Sequence, residues 1–247
     1  MQNTEFIRRA EELWQRSDAQ NITTHTNFLT PAEQHSLAGL AHIQSSLHLF
    51  GGLEDAERCI AFFLPDYLAA DDFDPSTYIT AFHLRCRFGV FGHRDVLGSL
   101  LGLGLARWSI GDIYTKDEDA WFFCLPSVAK AIKAELTKIG RNGVQLTEIP
   151  LQSVPQPERQ REEIRFTVSS CRLDAIIAGT WNLSRANAAS FIESGLVSLN
   201  YSVCERTCAL VEAGDVFSLR GYGKAALREL GGKSRKDRIH LLVERYF

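Results

Sequence analysis

The chain of 247 residues has no long apolar run. Its longest nearly apolar stretch, Val96 to Ala106, is eleven residues with three glycines, too short to span a bilayer. The charged start, Met1 to Glu12, carries no apolar signal core. Cysteine is present but never spaced as a pair: Cys59, Cys86, Cys124, Cys171, Cys204 and Cys208 include no Cys-x-x-Cys. That scatter speaks for free buried thiols rather than a disulfide framework or a zinc site. No two histidines have metal-binding helical spacing, His35 and His42 being seven apart. Neither a Walker-type loop nor a Gly-x-Ser-x-Gly elbow occurs. These absences lead us to expect a soluble cytoplasmic protein with no metal, no cofactor and no membrane contact.

Nor is there a strong excess of one charge: 27 basic residues face 30 acidic ones, net −3. The charges are segregated, however. Residues 1–74 carry −8, residues 75–164 carry +1 and residues 165–247 carry +4. An acidic start and a basic end suit a chain of which one end meets an anionic partner.

What is present reads as several domains of α+β type. Residues 1–74 form a mixed N-terminal region: a first helix with Phe6, Ala10, Leu13 and Trp14 on one face, a helix opened by Thr30-Pro31-Ala32-Glu33 and running to about Ser46, and strands at 47–50 and 59–64. Residues 75–150 read as strand (78–88), helix (94–103), two strands (110–115 and 120–125), helix (127–139) and strand (144–149). This β-α-β-β-α-β order is the ferredoxin-like unit used by many RNA-recognition modules. Residues 151–164 hold the charged run 158–163 and, with Pro150, include three of the seven prolines, so they read as a linker. In residues 165–247, Ser170 is expected to cap a helix over 172–178 stopped by Gly179, and Ser184 a second over 185–194 stopped by Gly195. Short strands at 196–199 and 216–220 follow.

Two motif likenesses fail on context. His93-Arg94-Asp95 resembles a kinase catalytic loop, but Leu100 stands where that loop needs asparagine. Gly98, Gly102 and Gly104 lie in or after a helix, so they cannot form a phosphate cradle between strand and helix. His83, Arg85 and Arg87 alternate on one strand and leave one face. With Arg94 they form a possible second RNA face; internal pairing with nearby carboxylates is the equal alternative.

The C-terminal region carries the strongest signal. Arg172-Leu173-Asp174 opens one helix and Ser184-Arg185-Ala186-Asn187 the next. A capped helix start offers amides and a positive dipole, and arginine adds a bidentate donor for phosphate. Gly195 to Asn200 and Ala213-Gly214-Asp215-Val216 complete a series of spacings that resembles the ribosomal-protein S-four type RNA-binding domain, with Asn200-Tyr201 replacing its usual Asn-Gly turn. Beyond it, residues 220–238 hold seven basic and two acidic side chains, glycine-spaced and with Tyr222 as an aromatic. The expected RNA contacts are Arg172, Ser184, Arg185, Asn187, Asn200, Arg220, Tyr222, Lys224, Lys233, Arg235, Lys236 and Arg238.

Taken with Phe28 to Gln34, Phe50-Gly51-Gly52, Phe91 to Asp95, Ile110-Gly111-Asp112-Ile113, Arg220 to Gly223 and Glu229 to Lys233, the chain resembles the bacterial YlmH family of RNA-binding proteins. The resemblance implies binding of ribosomal RNA of the large subunit, and of transfer RNA, in ribosome-associated quality control of stalled subunits; we expect a non-enzymatic monomer. An older family link to cell division is also implied. The central module lacks the usual aromatic pair of sequence-reading RNA modules; of Trp121, Phe122 and Phe123, at least one must face the core. The alternative is an RNA-modifying enzyme, a pseudouridine synthase or an RNA methyltransferase, because Arg172-Leu173-Asp174 superficially matches a pseudouridine-synthase triplet.

Overall fold

Apolar residues at helical spacing build α1 (Gln2–Gln20), which lays Ala10 into a core with Leu37, Ile43, Ala61 and Phe63. The computed structural model describes residues 2–86, 89–157, 161–234 and 236–246. They divide into two compact units, Met1–Pro157 and Glu158–Phe247. Among the described residues the fold is mixed α+β, with six α-helices and sheets of three, five and six strands.

After α1 the first unit continues with β1 (Thr24–Leu29), α2 (Pro31–Ala38), β2 (Leu47–Phe50) and β3 (Cys59–Phe63), in an antiparallel sheet ordered β1-β3-β2. The expected start of α2 is present as a capping box: Glu33 N–H donates to Thr30 Oγ1, and Thr30 N–H donates to Glu33 Oε2 at 2.7 Å. The helix is shorter than expected. It ends at Ala38, because the Gly39 N–H closes back onto the His35 and Leu37 carbonyls, and Ala41–Ile43 forms a separate 3-10 turn. Strand β1 has no expectation behind it. Its buried side includes Thr24 and Thr26, whose hydroxyls bond backbone carbonyls, so its inward alternation is written partly in polar residues.

The chain then forms β4 (Thr80–Cys86), α3 (His93–Gly102), β5 (Ile110–Lys116), β6 (Asp119–Cys124), α4 (Pro126–Glu135), β7 (Lys138–Ile139) and β8 (Asn142–Ile149). The sheet order is β5-β6-β4-β8-β7, all neighbours antiparallel. Helix α4 stops four residues before the expected Ile139. Lys138 and Ile139 instead pair with Gly143 and Asn142 across a turn in which Gly140 has φ +58°. One face of this sheet packs with the two helices, burying Phe82, Leu84, Val96, Leu100, Phe122 and Ile132. The other face meets the first sheet, where Ala81 and Phe123 share a core with Phe28, Ile60 and Phe62.

A buried carboxylate joins these two sheets. Asp112 accepts from the amides of Glu57 (2.6 Å) and Arg58 (3.0 Å) and from the Tyr114 hydroxyl (3.0 Å). The Arg58 guanidinium donates to the carbonyls of Phe28 (2.9 Å) and Ile110 (3.1 Å). Backbone passes so closely here that a Cβ on Gly111 would stand 2.7 Å from the Phe28 ring. Burial, with Arg58 nearby, pushes the Arg107 pKa down to about 10.

The second unit comprises β9 (Arg161–Val168), α5 (Leu173–Thr180), α6 (Arg185–Glu193), β10 (Val197–Leu199), β11 (Ser202–Val203), β12 (Val216–Leu219), β13 (Gly223–Lys233) and β14 (Ile239–Tyr246). Its sheet order is β11-β10-β12-β13-β14-β9. Residues 161–164, expected as the end of a linker, are instead the start of β9, held by pairing with β14, and Ile164, Phe166 and Val168 alternate with polar residues along it; 158–160 lie outside the described residues. Both helices pack on one side of the sheet through Ile176, Ile177, Ala188 and Ile192 against Phe217, Leu227 and Val243. Gly179 does not stop α5. The helix runs to Thr180, and the missing Cβ makes room for the Phe166 ring, which would lie 2.2 Å from it. The N-cap of α5 is Arg172 rather than Ser170, and it has no side-chain cap.

Candidate nucleic-acid interface

Ser184 caps α6 as its sequence position requires: its Oγ accepts from the Asn187 amide at 3.1 Å. The cap places Arg185 as the first helical residue, while Arg172 occupies the N-cap of α5. Asp174 joins the two. Arg172 donates to it through Nε to Oδ1 and Nη2 to Oδ2, both at 3.1 Å, and Arg185 donates through Nη2 to Oδ2 at 2.6 Å. The side chain of Asp174 is 8% exposed, whereas those of Arg172 and Arg185 are 40% and 54% exposed. Burial alone would push the Asp174 carboxyl up, but the hydrogen bonds and charges of the two arginines outweigh it and hold the group below its ordinary value. The result is a fixed carboxylate beneath two part-exposed guanidiniums, a cluster with one net positive charge and free N–H donors at its rim.

Asn187 is exposed one turn along α6. Tyr222 is 46% exposed, and its ring centroid lies 5.8 Å from that of Phe191 on the same helix. The Trp181 indole donates to the Tyr222 carbonyl at 3.2 Å, fixing the turn that also holds Arg220. Gly221 and Gly223 flank Tyr222 with φ of +88° and +113°, a backbone course that side chains resist.

The remaining expected contacts are distributed elsewhere. Asn200 is occupied within its own turn, donating to Asp215 at 2.7 Å and accepting from the Val216 amide at 3.0 Å. Asn200 and Tyr201 both have positive φ, 47° and 65°. Lys224 lies with its ammonium 5.6 Å from the centre of the Tyr246 ring. In register beside Tyr246 and Ser218, it falls on the sheet side opposite the helices. At the far hairpin tip, Lys233 pairs with Asp237 at 2.8 Å and Lys236 is exposed. Arg238 donates to the Thr167 hydroxyl at 2.9 Å and to its carbonyl. Arg235 lies outside the described residues.

On the central sheet His83 and Arg85 leave one face, as their alternation requires, and both pair with Asp119, at 2.6 and 3.8 Å. His83 also stacks on Trp121, with centroids 5.2 Å apart and planes 14° apart. Phe122 and Phe123 are fully buried, so Trp121 is the member of that aromatic run that reaches the surface. Arg94 lies in the first turn of α3, which packs on the other face, and Arg87 lies outside the described residues. Sequence reasoning missed Asp174 as a partner of Arg185 and Asp119 as a partner of His83. Neither pairing is local, and no spacing rule signals it.

Among the described residues no cluster of three or more His, Cys, Asp or Glu could hold a metal, and no helix is long and apolar enough to cross a membrane. A family model described as "Putative RNA-binding domain in YlmH" matches residues 70–153. The chain is 34% identical over 223 residues to the ribosome-associated protein quality control protein P2 of Bacillus subtilis (strain 168), covering 89% of this chain and 86% of that protein. Among solved structures it is similar to the cell division protein ylmH from Streptococcus pneumoniae, at 24% identity and a TM-score of 0.49, over 62% of this chain and 93% of that one.

Proposed function

Since the chain belongs to the YlmH family, we propose that it is an RNA-binding protein of ribosome-associated quality control. In this reading it is a cytoplasmic monomer that recognises structured ribosomal RNA of the large subunit, and transfer RNA held there, by phosphate and shape contacts. The observation that carries the reading is the Arg172–Asp174–Arg185 cluster at two adjoining helix starts. The exposed guanidinium edges of the two arginines are suited to phosphate oxygens. Asn187, Arg220 and Tyr222 extend this surface, and Lys233, Lys236 and Arg238 add a basic tip; Arg235 is proposed as a contact from the sequence alone.

The finer architecture supports the same reading. The order of the four long strands in the central sheet, read from β8 as β8-β4-β6-β5, supports reading it as a ferredoxin-like, RRM-like module. Two short helices against a hairpin-rich sheet agree with an S-four type domain in the second unit. The His83, Arg85 and Trp121 face is a candidate second RNA contact, and its pairing to Asp119 leaves Arg85 62% exposed. An enzymatic role for Asp174 is disfavoured, because both its oxygens accept from arginine and it is almost wholly covered.

A titration of purified large ribosomal subunits tests the proposal. If about six phosphates are contacted, log affinity falls against log salt with a slope of roughly −4 to −5. Arg185→Glu combined with Lys233→Glu should weaken binding at least about tenfold, since each substitution replaces attraction by repulsion at a phosphate. Unchanged affinity in this double variant would refute the assignment.

A further inference from the structure

Asp174 has the wrong charge for an RNA surface, yet it sits at the centre of this one. Its position in the first turn of α5 would allow it to serve the free amides of that helix. Those amides are already taken: Leu173 N–H donates to the Ala209 carbonyl at 2.8 Å and Asp174 N–H to the Thr207 carbonyl at 3.2 Å. The carboxylate is thereby left for the guanidiniums, and three of their N–H donors are spent on it. One arginine comes from each helix, so the shared oxygen Oδ2 fixes the distance and orientation between two groups that otherwise sample many rotamers.

We propose that Asp174 is a positioning residue that locks Arg172 and Arg185 into one preformed fork for RNA phosphate, raising selectivity for a rigid, folded RNA at the expense of general attraction to polyanions. The proposal rests on the RNA-binding reading above and adds to it a division of labour. A preordered fork loses less side-chain freedom when it meets phosphates of matching spacing. At the same time the carboxylate cancels one of the two positive charges, which lowers attraction to any negative polymer. Removing it must therefore act in opposite directions on the two kinds of ligand. A merely structural residue would weaken both together.

The test compares large ribosomal subunits with poly(U), a flexible single strand, in the full-length chain. Asp174→Asn keeps the shape and removes the charge. We expect it to bind subunits about five- to tenfold more weakly and poly(U) as tightly as the parent or more so. Arg172→Lys keeps the charge but cannot make the bidentate contact, and it should lower the subunit-to-poly(U) ratio in the same direction. This second variant decides the matter if circular dichroism shows Asp174→Asn to be unfolded. Equal ratios in parent and folded variants overturn the positioning role while leaving RNA binding intact. A parent chain that binds neither ligand overturns both readings.

Discussion

Asp112, together with the Arg58 guanidinium, ties together the segments that cross between the first two sheets. Its oxygens accept from two consecutive amides and a tyrosine hydroxyl, and Arg58 and Arg107 lie within its field. Asp112→Asn should cost about 1–3 kcal/mol, because it turns one acceptor oxygen into an NH2 group facing a donor and leaves that donor unsatisfied. A shift of less than about 1 kcal/mol in urea unfolding would show that water or neighbouring carbonyls satisfy that donor instead. At this scale the sequence is legible only in part. Ser184 announces itself as a cap because the acceptor and the amide it serves are three residues apart. Arg172 and Asp174 are only two residues apart, but the links from Asp112 to Arg58 and from Asp174 to Arg185 span 54 and 11 residues and do not announce themselves. Ile110-Gly111-Asp112 and Phe50-Gly51-Gly52 stand out as motifs, but their reason is a close crossing of two chain segments that only the fold creates.

The elements that could be read are those whose signals are local. Thr30 with Glu33 marks the start of α2, and the alternation of His83 and Arg85 marks one face of β4. Helix ends misled where glycine served another purpose. Gly179 reads as a stop, yet it lies inside α5 so that Phe166 of β9 can approach the helix backbone. This gives an unusual expectation for Gly179→Ala. Helix propensity favours alanine by about 1 kcal/mol, but the new Cβ would overlap a packed ring, which costs about 1–3 kcal/mol. The variant should therefore be no more stable than the parent, and less stable by up to about 2 kcal/mol, in chemical denaturation. A clear gain in stability would mean that Phe166 can turn aside freely. Strand β1 was hidden for a different reason. Its inward positions include threonines, which satisfy their hydroxyls within the fold and so read as polar from outside.

Across the whole molecule, charge placement and core placement divide the chain differently. By charge, the acidic residues 1–74 stand apart from residues 75–247. By packing, they do not, because Phe28, Ile60 and Phe62 share one core with Ala81 and Phe123. The second unit, by contrast, has a core drawn from residues 166–243. A fragment of residues 158–247 should unfold cooperatively in urea and retain the arginine cluster. A fragment of residues 75–157 should show no cooperative transition, since it would expose the face that the first sheet covers. Cooperative unfolding of the latter would show that the central sheet needs no cover. The charge imbalance was visible in the sequence as three segments; the shared core was not, because it depends on which sheet face the N-terminal strands meet.

The pairing of β9 with β14 has a consequence in time. These are the first and last strands of the second unit, matched from Ile239 opposite Val168 to Tyr246 opposite Arg161. A growing chain makes α5 and α6 early, but the strand that completes the sheet beneath them begins only at Ile239, long after α6 has ended at Glu193. Contacts of such long sequence separation form slowly. The arginine cluster therefore acquires its rigid foundation only once β14 has been synthesised and has reached β9. A nascent chain stalled before that strand would carry two short helices over an unfinished sheet, a ready substrate for proteolysis rather than a partly working binder.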